Sequence, residues 1–216
     1  GEVSHLTCIG GVEAIAAKAE ALSVWKGPAD SESESWLTRV LQVMDLTTLS
    51  GDDSAPRVRA LCRRARSPLP RPALARLMRP GPTPAPAAVC VYPVFVPLAL
   101  EEMKGTNVRV ATVSGGFPHG LSTLEERVRA VEAARSLGAH EIDVVIRREW
   151  ALSGRWRRIY DEVRAFRMAA AGACLKVILG TGDLADLNQV TRAALVAMMA
   201  GADFVKTSTG KERVNA

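Results

Sequence analysis

From Pro86 onward, short β-rich apolar runs alternate with helical segments at intervals of roughly 30 residues. No other feature limits the fold of this chain as strongly. Ala87–Tyr92 (AAVCVY) reads as a strand and Pro97–Lys104 as a short helix. Val108–Val113 is the next strand, followed by an amphipathic helix over Thr123–Leu137 that ends at Gly138. Glu141–Ile146 (EIDVVI) is a strand, and Tyr160–Ala171 anchors the following helix. Leu175–Leu179 is a strand, Leu184–Ala200 a helix ending at Gly201, and Phe204–Thr207 a last strand. A glycine directly after each long helix fits a left-handed C-cap. Such alternation builds βαβ units and hence a parallel sheet.

The first third of the chain is less regular. Helical spacing (Val12, Ile15, Ala16, Ala19, Leu22) predicts a helix over residues 12–24. A polar loop is expected from Lys26 to Ser35, a strand from Val40 to Leu46, and a helix over Ala55–Arg66 after the capping residues of LTTLSGDD. Residues 67–86 hold seven prolines, which predicts a loop with one broken helix around Ala73–Met78. The strands then centre on residues 43, 90, 110, 143, 177 and 205. No GxGxxG follows the first of them, which argues against a dinucleotide-binding sheet. The expected class is α/β, a (β/α)8 TIM barrel. A full barrel takes about 250 residues, so about six of the eight βα units are expected in this one. Residues 1–35 are expected to be an N-terminal helical extension and 36–216 a partial barrel domain.

Composition narrows the function classes. Net charge is +5, and eight arginines lie between Arg57 and Arg79. No aromatic residues interleave there to stack on bases, so a solvated helix and loop is expected rather than a nucleic-acid surface. No run of 18 apolar residues occurs, so no membrane span is expected. Residues 6–17 lack a basic leading segment and are not expected to be a signal peptide. Cys8, Cys62, Cys90 and Cys174 form no CxxC pair, which fits a reduced, cytoplasmic protein. His5, His119 and His140 make no metal-ligand pattern, so no metal or cofactor is expected.

In a (β/α)8 barrel, functional groups project from the C-terminal ends of the strands. Asp143, Lys176 and Lys206 each interrupt an apolar strand, and a charge there is costly unless it is paired. On spacing alone, a structural ion network and a catalytic set account equally well for these three residues. Chemistry separates them. An amine that attacks a carbonyl must first lose its proton, and a neighbouring carboxyl can move protons during imine formation and carbon–carbon cleavage. Lys206 with Asp143 supplies that pair. The loop TSTGK after the last strand is not a Walker A motif. Val205 stands where a glycine is needed and Glu212 follows Lys211 in place of Ser or Thr. Small residues, Gly210 and Lys211 can still hold a single phosphate.

MDLTTL, VCVYP, FPHG, EIDVVI, LKVILGTG and ADFVKTSTGK occur in that order. Together, from about Trp36 to Ala216, they resemble the deoxyribose-phosphate aldolases, and the LTTLSGDD stretch is closest to the animal type. The resemblance implies a class I aldolase that needs no metal. It would reversibly cleave 2-deoxy-D-ribose 5-phosphate to acetaldehyde and D-glyceraldehyde 3-phosphate. It implies Lys206 as the Schiff-base lysine and Asp143 as the proton donor and acceptor. Lys176 and Asp45 would belong to the polar network around them. Cys90 would line the substrate pocket, Thr47 would lie near it, and Gly210 with Lys211 would touch the substrate phosphate. The implied partner is a small phosphosugar, without nucleic acid or membrane, and assembly into a homo-oligomer is left open. The chain departs from the family at Arg147, where relatives carry a small polar residue, and at Gly180, where they carry a larger one. The family also has a strand with a GFKPAGG-like motif, whose lysine helps to deprotonate the Schiff-base lysine, and a last strand with a glycine–serine phosphate site. Neither is found in these 216 residues. The expectation is therefore a C-terminally incomplete aldolase, weak or inactive as a lone chain. The alternative is an inactive remnant that binds phosphosugars or partner proteins.

Overall fold

The computed structural model describes residues 11–24, 27, 30–70, 84–184 and 186–214. The broken helix expected around Ala73–Met78 lies outside them. The elements in chain order begin with α1 (Gly11–Ser23), α2 (Asp30–Gln42), β1 (Asp45–Thr47), α3 (Ala55–Arg66) and β2 (Ala88–Val91). There follow a 3-10 turn (Pro93–Phe95), α4 (Val96–Met103), β3 (Arg109–Ser114), α5 (Leu124–Ser136), β4 (Glu141–Val145) and α6 (Arg148–Leu152). The last are α7 (Trp156–Ala169), β5 (Cys174–Ile178), a second 3-10 turn (Thr181–Asp183), α8 (Leu187–Met199) and β6 (Phe204–Lys206). The strands are neighbours in the order β1-β2-β3-β4-β5-β6, and the registered pairs are parallel. Six consecutive parallel strands with helical crossovers are six units of the (β/α)8 architecture.

One expectation fails at the start of the chain. Helix α2 occupies most of the predicted loop and strand, and β1 is only three residues long. Trp36, Leu37, Val40 and Leu41 recur at helical spacing, and Glu32 and Glu34 lie in the N-terminal half of the helix, where its dipole favours negative charge. The polar first half of α2 resembles a loop, and its apolar residues fall in the second half, where they resemble the start of a strand.

The fold divides into two compact units. One comprises Lys26–Thr112 and Leu137–His140. In it β1 pairs with β2, placing Thr47 beside Cys90, and β2 pairs with β3, placing Cys90 beside Ala111. All four residues of β2 are fully buried. Helix α3 turns Val58, Cys62 and Ala65 inward at i, i+4 and i+7 and packs on α4. His140 locks onto β3 from both sides: its Nδ1 accepts from Val110 N–H at 2.9 Å, and its N–H donates to Val110 O at 2.9 Å.

The other unit comprises Gly1–Trp25, Val113–Ser136 and Glu141–Ala216. Here β4 pairs with β5 and β5 with β6. Helix α7 packs between α5 and α8 and buries Trp156, Ile159, Val163, Phe166 and Ala169. Two charged residues also lie on buried helix faces, Arg127 of α5 and Glu162 of α7. They form an ion pair with each other. Arg127 Nε donates to Gly115 O at 2.6 Å and its Nη2 to Val145 O at 2.5 Å, and the guanidinium lies 4.9 Å from the Phe166 ring centroid. Glu162 Oε2 accepts from Arg147 N–H at 3.1 Å. The pair thus ties the ends of β3 and β4 to the helices behind them. Gly201, after α8, has φ +101, the left-handed cap predicted for it, and Gly138 has φ +90.

Candidate active site

The alternation of side chains along a strand decides which residues meet. Asp143 of β4 is in register with Lys176 of β5, and Lys176 is in register with Phe204 of β6. Lys206 lies two residues beyond Phe204, and Glu141 two before Asp143, so all four charged residues share one face of the sheet. They form a chain of ion pairs. Lys206 Nζ donates to Asp143 Oδ2 at 2.5 Å. Lys176 Nζ lies 3.3 Å from Asp143 Oδ1 and 2.8 Å from Glu141 Oε2. Two ammonium groups and two carboxylates balance in charge, which is what burial of such groups requires.

The members differ in access. The side chain of Asp143 is 0% exposed and that of Lys176 7%, whereas that of Lys206 is 32% exposed. Lys206 is thus the amine of the pair that an incoming carbonyl can reach. Burial pushes the Asp143 carboxyl above the usual carboxylate range, against the opposing pull of Lys176 and then Lys206. A carboxyl so placed can both take and return a proton at the lysine it touches.

The loop after β6 is built by its own side chains. Thr209 N–H donates to both carboxylate oxygens of Glu212, at 3.0 Å each, and Lys211 N–H donates to Thr209 Oγ1 at 3.1 Å. The Glu212 carboxylate reaches back to the Thr209 amide as in a capping box, T-x-x-E, while the Thr209 hydroxyl takes the Lys211 amide one residue earlier. Gly210 between them has φ +78, a conformation that side-chain-bearing residues rarely adopt. Burial works to raise the Glu212 carboxyl, but hydrogen bonds from Thr209 and the charge of Arg148 outweigh it and hold it below the usual range. Gly210 and Lys211 themselves are exposed.

The structure therefore brings Asp143, Lys176 and Lys206 together, with Gly210 and Lys211 on the loop that follows Lys206. Asp45, Thr47 and Cys90 belong to the other unit. Cys90 is fully buried, Asp45 half-buried and Thr47 exposed, with Thr47 Oγ1 donating to Asp45 O at 3.4 Å. Sequence reasoning missed Glu141 and Glu212. The period-two spacing of Glu141 from Asp143, and the Thr209–Glu212 spacing, were the available signals.

The DeoC/LacD family aldolase pattern matches residues 39–216. The chain is 42% identical to a deoxyribose-phosphate aldolase of Homo sapiens, over 100% of this chain and 66% of the relative. It is 43% identical to that of Mus musculus over the same shares. It thus spans about two thirds of the length of these curated relatives. A crystal structure from Coccidioides immitis, named after deoxyribose-phosphate aldolase, superposes with a TM-score of 0.72 at 29% identity, covering 89% of this chain and 66% of that one. The ordered motifs, the parallel fold and these likenesses agree: the chain belongs to the deoxyribose-phosphate aldolase family.

Proposed function

We propose that this chain carries the Schiff-base centre of an aldolase acting on 2-deoxy-D-ribose 5-phosphate. The observation that supports this most is the contact of the accessible Lys206 Nζ with the buried Asp143 carboxyl, whose other oxygen faces Lys176. The lysine gives a proton to Asp143 and attacks the substrate aldehyde carbon, so that a C–N bond forms and the carbonyl oxygen becomes a hydroxyl. That oxygen leaves as water with a proton from Asp143, which gives an iminium. Asp143, ionised again, takes the proton of the C3 hydroxyl as the C2–C3 bond breaks. The electron pair moves into the iminium to form an enamine, and D-glyceraldehyde 3-phosphate departs. The same carboxyl returns a proton to the enamine, and hydrolysis of the resulting iminium releases acetaldehyde and restores Lys206. Lys176 offsets the negative charge that Asp143 gains in each cycle, which lowers the cost of ionising a buried carboxyl.

Gly210 and Lys211 are proposed to meet the phosphate, through backbone N–H and ammonium respectively. Asp45, Thr47 and Cys90 enter the proposal as substrate-binding residues by family resemblance. The test is retro-aldol turnover of 2-deoxyribose 5-phosphate, read as D-glyceraldehyde 3-phosphate release through a coupled dehydrogenase. The proposal expects turnover, even if slow, that Lys206→Met abolishes. Turnover that survives Lys206→Met, or none above background in the native chain, overturns it.

A further inference from the structure

Arg148 follows β4, five residues beyond Asp143, and its side chain is only 13% exposed. Its contacts reach the segments that follow two other strands, and its charge acts on the segment that follows a third. Nη1 donates to Pro118 O at 3.2 Å, in the loop after β3. Nε lies 2.8 Å from Asp183 Oδ2, in the turn after β5. Its charge also favours the ionised form of Glu212, in the loop after β6. The stem passes over Gly180, which has φ +67, and a Cβ there would lie 2.5 Å from Arg148 Cδ. The missing side chain at Gly180, one of the departures from the family, is therefore the space the arginine occupies. The turn that holds Asp183 is itself bound to the β6 segment. Thr181 N–H donates to Thr207 O at 2.8 Å, and a Cβ on Gly182 would lie 1.8 Å from Val214 O.

We infer that Arg148 is a positioning residue for the loop after β6, holding Thr209–Glu212 in the shape that presents Gly210 and Lys211 to an anion. The route is physical. The guanidinium fixes the Asp183 turn, on which residues 207 and 214 rest, and its charge adds to the hydrogen bonds from Thr209 that favour the ionised form of Glu212. Without the guanidinium the Asp183 turn loses its ion pair, while the bonds of Thr209 with Glu212 and Lys211 and the Thr181–Thr207 bond stay in place. Local opening of such a segment becomes easier without global unfolding. The consequence for phosphate rests on the aldolase reading above. The loop geometry does not.

The experiment compares the native chain with Arg148→Met, and with Arg157→Met as a control for loss of one surface arginine. Amide hydrogen exchange at Thr209 and Lys211 reports the loop, and titration with inorganic phosphate, followed by amide shifts, reports the anion site. Arg148→Met is expected to speed exchange at both amides by roughly tenfold with the melting temperature nearly unchanged, and to weaken phosphate binding. Arg148→Lys, which keeps the charge but not the fork of donors, is expected to recover part of both effects. Unchanged exchange in Arg148→Met, or an equal effect in Arg157→Met, overturns the inference. Faster exchange in a protein whose native form binds no phosphate upholds the strut and overturns the phosphate reading instead. Should Arg148→Met fail to fold, Asp183→Asn removes the carboxylate partner alone and carries the same readouts.

Discussion

Replacing Arg127 with methionine separates burial of charge from ordinary packing. Methionine keeps most of the arginine stem and removes only the guanidinium. Glu162 is then left 0% exposed without its ion-pair partner, with only the Arg147 amide and the weaker pull of the Arg147 charge, and Gly115 O and Val145 O each lose a donor. Breaking one side of a buried pair costs about 3–5 kcal/mol. For a chain of this size that corresponds to a fall of about 6–20 °C in melting temperature. The pH dependence supplies a second, independent check. Burial already holds the Glu162 carboxyl above its ordinary range, against the pull of Arg127, so losing Arg127 raises it further. A carboxyl whose folded pKa lies above its unfolded value contributes stability that is complete below the unfolded value, about 4.3, and is lost as pH rises through the folded one. The penalty in Arg127→Met is therefore smaller at pH 5 than at pH 8. Thermal melts by circular dichroism at both pH values measure it. A fall of less than about 3 °C, or a penalty that grows on acidification, refutes the reasoning. Pairing Arg127→Met with Glu162→Leu should restore part of the loss, because no buried charge then remains alone.

Asp143→Asn keeps the shape of the side chain but cannot cycle a proton, so turnover should fall by about 10²–10⁴-fold in the coupled assay. In Gly182→Ala the new methyl would fall 1.8 Å from Val214 O, a backbone atom, so the segment must shift. A loss of about 1–3 kcal/mol in urea unfolding is expected. The Cys62 thiol is fully buried, and burial with the charge of Glu102 pushes it up to about 11. It should resist alkylation at pH 8 in the folded protein and react once urea unfolds the chain, as mass spectrometry would show.

The helices and strands that carry a full period were legible in the residues. Helix α3 starts and ends where its spacing predicts, and β2 to β6 fall within a residue or so of their apolar runs. Helix α6, five residues long, is too short to show periodicity, and α2 was hidden because its polar half resembles a loop. At the site, charges inside apolar strands marked Asp143, Lys176 and Lys206, since an unpaired charge there would be costly. Arg127 and Glu162 escaped notice because charged residues on helices usually face water. Yet Arg127 stands at i with Val131 at i+4 and Ala134 at i+7, on the buried stripe. Arg148 was invisible for another reason: its contacts join the segments after β3 and β5, and no local pattern encodes such a meeting.

The Schiff-base assignment is tested most directly by incubating the chain with acetaldehyde and cyanoborohydride and mapping the modified peptide by mass spectrometry. The geometry predicts a single ethyl group on Lys206, the accessible amine against Asp143, with Lys176 unmodified. Labelling spread over the exposed lysines, or placed on Lys176 while Lys206 stays free, would contradict it.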